Sequence, residues 1–285
     1  MVALIIAILA IGGRFAFRHG ELGGAQIARI EISGMIQTDR DRTELIRKLG
    51  DDPQVKGVIL AINSPGGTTA GGEELYESLG ALRAKKPVVA VIGELGASAA
   101  YMTAIAADRI FARRLSIVGS IGVLFQTFNA QKLMDTIGIG TEKIASGPLK
   151  AEPDFDKPMS PEVRASLTSL ITDSFNWFVD IVAERRQLDR PAVLTLADGR
   201  ILTGRQALDA KLIDAIGGEA EAIAWLDKDK KLTPNLPVET RFPLPDKGWG
   251  GFGKWLGSNA RSALGLGAVG PVALDGLVSL WQVGS

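Results

Sequence analysis

The segment Gly96-Ala97-Ser98-Ala99-Ala100-Tyr101 sets a serine among small residues, shortly after the apolar run Pro87 to Ile92. A serine beyond a strand end, in a tight turn that opens a helix, projects its hydroxyl into a crevice. Helix-terminal N–H groups beside it can hold an oxyanion. The same position also suits a serine that only caps the helix. A second segment, Asn63-Ser64-Pro65-Gly66-Gly67, follows the apolar run Val58 to Ile62. Its two glycines let backbone approach a substrate closely, and their N–H groups could form an oxyanion hole opposite Ser98. The other reading is an ordinary turn. A serine nucleophile needs a base. The chain has no cysteine and a single histidine, His19, which follows the apolar N-terminal run and reads as a solvated residue. Lysine can serve where burial lowers its pKa from about 10.4 toward neutrality. Ser146-Gly147-Pro148-Leu149-Lys150 is a turn rich in small residues and offers Lys150. The competing reading of Lys150 is a solvated surface position, the common fate of lysine. Gly119-Ser120-Ile121-Gly122 combines glycines that admit a substrate backbone with a hydroxyl, Ser120, able to orient a neutral lysine amine. It also reads as a plain turn between two elements.

The elements that must position these residues follow from pattern. Ala28 to Ile32 alternates and predicts a strand; Val58 to Ile62 and Pro87 to Ile92 are continuous apolar runs, as expected of buried parallel strands. Arg109 to Ala112 is a further strand candidate. Helices are predicted over Asp39–Leu49, Glu73–Lys85 and Ala99–Ala107. A long helix is predicted from Ser160 as N-cap and Pro161 as first helical residue, with Val163, Leu167, Leu170, Ile171, Phe178 and Val182 on one face for core or subunit contact. Strands alternating with helices predict an α/β fold with a largely parallel sheet, whose ligands bind beyond the carboxyl ends of the strands. The loops after Ile62 and Ile92 both lie there.

Composition narrows the classes. Lys+Arg and Asp+Glu each number 32, so no basic surplus points to nucleic acid. Absent cysteine and a single histidine exclude thiolate and multi-histidine metal sites, and no metal or cofactor is implied. Val2 to Gly13 is almost wholly apolar, with Arg14, Arg18 and His19 after it. It reads as a membrane anchor or a signal segment. The expected division is 1-24 anchor or signal segment and linker, 25-228 catalytic domain, and 229-285 an irregular Pro- and Gly-rich extension. Its last apolar stretch, Leu264 to Trp281, reads equally as a strand, a docking segment or a membrane-surface segment.

Taken in order, Ile62-Asn63-Ser64-Pro65-Gly66-Gly67, Ala97-Ser98, Gly119-Ser120-Ile121-Gly122-Val123 and Ser146-Gly147-Pro148-Leu149-Lys150 resemble the signal peptide peptidase A family, in its short form. Asp198-Gly199-Arg200 and Thr203-Gly204-Arg205-Gln206-Ala207 extend the likeness, which runs from about Ala28 to Ala224. The resemblance implies a crotonase- and Clp-protease-like α/β fold. It implies a serine endopeptidase with Ser98 as nucleophile, Lys150 as general base and Ser120 as the lysine-orienting hydroxyl. Gly66 with Ala99, or Ser98 itself, would form the oxyanion hole, and Gly67, Gly119 and Gly122 would border the substrate. It further implies signal peptides or other apolar membrane peptides as substrates, a ring of identical subunits, and a cytoplasmic-membrane location with the catalytic domain extracytoplasmic. The basic residues after the apolar run argue for the opposite orientation. A close variant would serve a stomatin-like partner. Where the family carries two glycines after the nucleophile, this chain has Ala99 and Ala100, whose methyl groups the fold is expected to accept. The alternatives are an acyl-CoA hydratase or isomerase on the same fold and an inactive scaffold.

Overall fold

The computed structural model describes residues 24–242 and the backbone of residues 278–280. The apolar N-terminal run, His19 and most of the last apolar stretch lie outside the described residues. The chain opens with β1 (Gln26–Ile36), α1 (Arg40–Asp51), β2 (Val55–Thr68), α2 (Thr69–Arg83), β3 (Val88–Ala97) and α3 (Ala99–Ile105). Then come β4 (Arg109–Ala112), β5 (Ile117–Gly119), α4 (Gln131–Ile137), α5 (Pro161–Arg186) and α6 (Arg190–Leu196). The chain closes with β6 (Ile201–Thr203), α7 (Gly204–Asp209), β7 (Ala215–Ile216), α8 (Glu219–Asp229), β8 (Val238–Arg241) and β9 (Val278–Leu280).

Among the described residues the strands form one sheet in the order β6-β5-β3-β2-β1-β8, with β4 beside β3 and β7, and β9 beside β2. All pairings are parallel except β5 with β6 and β2 with β9. Period-2 alternation explains the apolar runs, because both faces are covered. Val58, Leu60 and Ile62 of β2, with Val88, Ala90 and Ile92 of β3, face a core shared with α1, α2, α3 and α5. Ile59 and Val89 point the other way, onto Ala222, Trp225 and Leu226 of α8.

The expected Ser160 cap is in place, and Asp39, read as the first residue of its helix, caps it instead. Asp39 accepts from the Arg42 N–H at 3.0 Å, and Ser160 from the Val163 N–H at 3.3 Å, with Pro161 first in α5. Three predictions need correction. The stretch Asn63 to Gly67 belongs to β2: Gly66 and Gly67 pair with Met35 and Ile36. A Cβ at Gly67 would stand 1.8 Å from the Ile36 carbonyl oxygen, so glycine is what lets the two backbones run side by side. α2 begins at Thr69, earlier than the expected Glu73, because the Thr68 hydroxyl accepts from the Gly71 N–H at 3.0 Å and starts the helix through two glycines. β8 arises within the stretch read as irregular and extends the sheet beside β1.

One part stands away from the body. From Leu124 to Lys157, through α4, most residues are exposed, among them Phe128 at 71%, Leu133 at 63% and Ile144 at 95%. Along α5 the expected apolar face is only partly covered: Val163 is buried and Leu170 exposed, whereas Phe178 and Val182, further along, are fully buried. No helix among the described residues is long and apolar enough to cross a membrane.

Candidate active site

β2 and β3 run parallel as far as the pair Ser64↔Gly96, and beyond it the two chains part. β3 turns at Ser98 into α3, whose residues Ala99 to Ile105 are all buried. Ser98 itself is 1% exposed, with φ 59° and ψ −123°. A non-glycine residue held at positive φ stores strain that the surroundings must impose. Here the Ser98 N–H donates to the Gly119 carbonyl at 2.8 Å, and its carbonyl accepts from the Tyr101 N–H at 2.8 Å and the Met102 N–H at 3.0 Å. The hydroxyl makes no cap bond to α3, so the plain N-cap reading of this serine does not hold. At the helix start the Ala99 and Ala100 N–H groups have no preceding helical carbonyl to take.

The added methyl groups of Ala99 and Ala100 are accommodated. Both residues are fully buried, and α2 presents Gly72 to them; a Cβ built there would lie 3.1 Å from the Ala99 Cβ.

Across the parting, the end of β2 at Gly66 is held by a residue not singled out from sequence. Ser64, fully buried, donates its hydroxyl to the Gly34 carbonyl at 2.6 Å and accepts the Gly66 N–H at 3.2 Å. Gly66 has φ 109°, a conformation that favours glycine. On the β5 side, Gly119 (φ 101°) and Ser120 (φ 50°) form a second strained turn. The Ser120 N–H donates to the Arg200 carbonyl at 2.8 Å and the Gly199 N–H to the Ile121 carbonyl at 3.2 Å. The Asp198-Gly199-Arg200 motif therefore serves as the backing of Ser120. Its own turn is closed by Asp198, whose carboxyl the Arg200 guanidinium holds down to about 2. Gly122 lies against Gly199, 3.6 Å from a built Cβ to the Gly199 Cα.

Ser98, Gly119 and Ser120 are thus brought together by direct backbone bonding, with Gly66 and Gly67 on the adjoining strand. Lys150 is placed differently. It lies in an exposed turn, its N–H donating to the Gly147 carbonyl at 3.2 Å. Next to it four charges close a ring. Lys143 Nζ meets Glu152 at 2.7 Å and Asp154 at 2.6 Å, and Lys157 Nζ meets the same carboxylates at 2.6 and 2.9 Å. These contacts raise both lysines above their ordinary range and lower both carboxyls.

A buried serine at positive φ, facing glycines across the carboxyl ends of parallel strands, is an arrangement suited to acyl transfer on an α/β scaffold. The sequence profile of peptidase family S49 matches residues 80–233. A protease-named protein of Methanocaldococcus jannaschii is 33% identical over 98% of this chain and 93% of its own. A second, from Synechocystis, is 37% identical over 72% of this chain and 76% of its own. A signal peptide peptidase-named protein of Enterococcus faecium is 32% identical over 83% of this chain and 67% of its own. Among solved structures, a membrane-bound stomatin-specific protease superposes with TM-score 0.50 at 14% identity, covering 78% of this chain and all of that one. The chain belongs to peptidase family S49, and the α/β fold with a largely parallel sheet expected from the sequence is the one observed. The family supports a serine protease.

Proposed function

We propose that this protein is a membrane-associated serine endopeptidase in which Ser98 attacks the scissile carbonyl and Lys150 acts as general base. The observation that carries the reading is the conformation of Ser98: buried, at positive φ, bonded through its N–H to Gly119, and not spent on capping α3. In the proposed reaction a neutral Lys150 amine takes the Ser98 hydroxyl proton as the acyl bond forms, then passes it to the leaving amine; water releases the acyl-enzyme. The oxyanion is held by the Gly66 N–H, released from its long bond to Ser64, and by the Ala99 N–H at the start of α3. Ser120 orients the amine, and the backbone at Gly67, Gly119 and Gly122 borders the peptide.

Lys150 is favoured over its neighbours by charge. Lys143 and Lys157 are each held as ammonium by two carboxylates, so neither suits a proton acceptor near neutral pH. An exposed Lys150 needs burial to act, and the exposed apolar side chains of its own segment, such as Phe128, Leu133 and Ile144, supply a surface for a second copy. Self-association into a ring would desolvate Lys150 and bring it to a serine, either its own or a neighbour's. Signal peptides and other apolar membrane peptides are the proposed substrates, and the apolar N-terminal run the proposed anchor at the cytoplasmic membrane. The orientation proposed is catalytic domain outward.

The test is hydrolysis of a fluorogenic signal-peptide mimic in mild detergent by wild type, Ser98→Ala and Lys150→Ala. Cleavage by wild type alone, with all three folded and assembled, supports the dyad. Activity kept by Lys150→Ala moves the base elsewhere. Equal inertness of all three directs attention to acyl-CoA ligands or to a scaffold role.

A further inference from the structure

α3, the helix that Ser98 opens, is seven residues long. A helix that short has little stability of its own and keeps its place through its neighbours. Its last carbonyls have no partner within the helix. At that end Ile105, Ala106 and Ala107 are buried, so protein donors must serve them. Arg185, near the end of α5, does so. Its Nε donates to the Ile105 carbonyl and its Nη2 to the Ala107 carbonyl, both at 2.8 Å. One planar fork thus spans the end of α3 and the turn after it, a geometry that lysine cannot reproduce. Nearer the helix start, the buried Tyr101 hydroxyl donates to the Leu212 carbonyl at 2.7 Å. The preceding carbonyl, of Lys211, accepts from Arg186 Nε at 2.8 Å, and Arg186 also pairs with Asp214 at 2.8 Å. Adjacent arginines of α5 therefore fix α3, Arg185 directly and Arg186 through the loop that holds Tyr101.

We infer that Arg185 is a positioning residue for Ser98, acting through α3 and not on substrate. The inference rests on the reading that Ser98 is the nucleophile. Ser98 stands at φ 59°, a conformation that persists only where its surroundings impose it. One restraint is the Gly119 carbonyl, which holds the Ser98 N–H. The other comes from α3, whose Tyr101 and Met102 N–H groups hold the Ser98 carbonyl. That second restraint is only as firm as the seat of the helix. With Arg185 gone, the buried Ile105 and Ala107 carbonyls lose their donors, and α3 shifts to find others. The strain at Ser98 then has a path to relax. The Ser98 hydroxyl and the Ala99 N–H, both carried at that helix start, move together off the scissile carbonyl. The peptide-bordering backbone at Gly67, Gly119 and Gly122 is not part of α3, so substrate binding is spared.

The experiment measures kcat and KM of the full-length protein and three variants on a fluorogenic apolar peptide, well below their melting midpoints. Arg185→Met keeps the aliphatic stem and removes both donors; Arg185→Lys restores one. Leu49→Ala, in the core beneath α1, is the control for lost stability alone. We expect Arg185→Met to lower kcat about 10- to 100-fold with KM little changed. Arg185→Lys should lie between it and wild type, and Leu49→Ala should lose thermal stability with kcat kept. Wild-type kcat in Arg185→Met overturns the inference. So does an equal loss of kcat in Leu49→Ala, which would make the effect one of stability. Should Arg185→Met fail to fold, Arg185→Lys decides: a lower kcat at unchanged KM supports the inference, and wild-type kcat overturns it. A second readout does not depend on catalysis. Hydrogen exchange across residues 99–107 should be faster in Arg185→Met than in Leu49→Ala, and equal exchange overturns the clamp. If wild type cleaves no peptide, the nucleophile reading fails, and the exchange comparison alone decides whether Arg185 holds α3.

Discussion

Ser64 shows how one buried hydroxyl can hold the backbone on which the proposed oxyanion hole depends. It is fully buried, and its donor and acceptor capacities join Gly34 of β1 to Gly66. Ser64→Ala strands a buried N–H and a carbonyl, a loss of about 2 kcal/mol in stability. The Gly66 backbone would lose its anchor, so kcat should fall together with the denaturant midpoint; a variant with unchanged kcat would show that Gly66 positioning does not need Ser64. This residue was in view in the sequence, inside the Asn63-Ser64-Pro65-Gly66-Gly67 segment, but its part was hidden. A serine next to proline and glycine reads as turn composition, and its bond to Gly34, 30 residues earlier, exists only once β1 and β2 are adjacent. Ser98, by contrast, was legible, because a small-residue turn just after an apolar strand has few places to go in a parallel sheet.

Elements raise a different question, how backbones come close enough to build the site. β1 and β2 continue side by side past the core because Gly67 has no side chain. Gly67→Ala would drive a methyl group into the Ile36 carbonyl, so the strands must separate, at about 3 kcal/mol or more. Thermal unfolding of the variant checks this; a midpoint equal to wild type would show that the strands part easily there. The four-charge ring is an element-scale device too, bridging the two sides of the Lys150 turn. Glu152 and Asp154 have carboxyls lowered below the ordinary 4.5 and 3.8. Their contribution to holding the turn is therefore full above those values and lost as pH falls below them. The ring carries two positive and two negative charges, so it sits beside Lys150 with no net bias. Glu152→Gln leaves a surplus positive charge, which disfavours the Lys150 ammonium. If Lys150 is the base, the acid limb of the pH–rate profile should then move to lower pH. Lys143→Gln leaves a surplus negative charge and should move the same limb upward. Shifts in one common direction, or none, would remove the electrostatic link. None of this was visible from spacing, since a ring of lysines and carboxylates reads as solvated surface until the turn is folded. The strands were visible because both sheet faces are covered and the runs are apolar throughout.

At the scale of the whole molecule the open question is where the base meets the serine. In a single copy Ser98 is buried and Lys150 exposed, on a segment whose apolar side chains lack cover. Exposed apolar side chains gathered on one segment mark a surface for association, and the proposed ring of identical subunits would cover it. The motifs name Ser98 and Lys150 as the proposed pair without fixing whether both come from one copy. Mixing answers this. Ser98→Ala and Lys150→Ala subunits, each inactive alone, are combined in equal amounts, dissociated and reassembled. If each site joins Ser98 of one copy to Lys150 of the next, random assembly puts an intact pair at about one quarter of the interfaces, and about a quarter of wild-type activity should return. If each copy completes its own dyad, every subunit carries a defect and nothing returns. Size-exclusion chromatography of the mixture confirms that assembly took place, so a silent mixture of full-sized rings would locate the dyad within one chain and leave the apolar segment with a purely structural part in assembly.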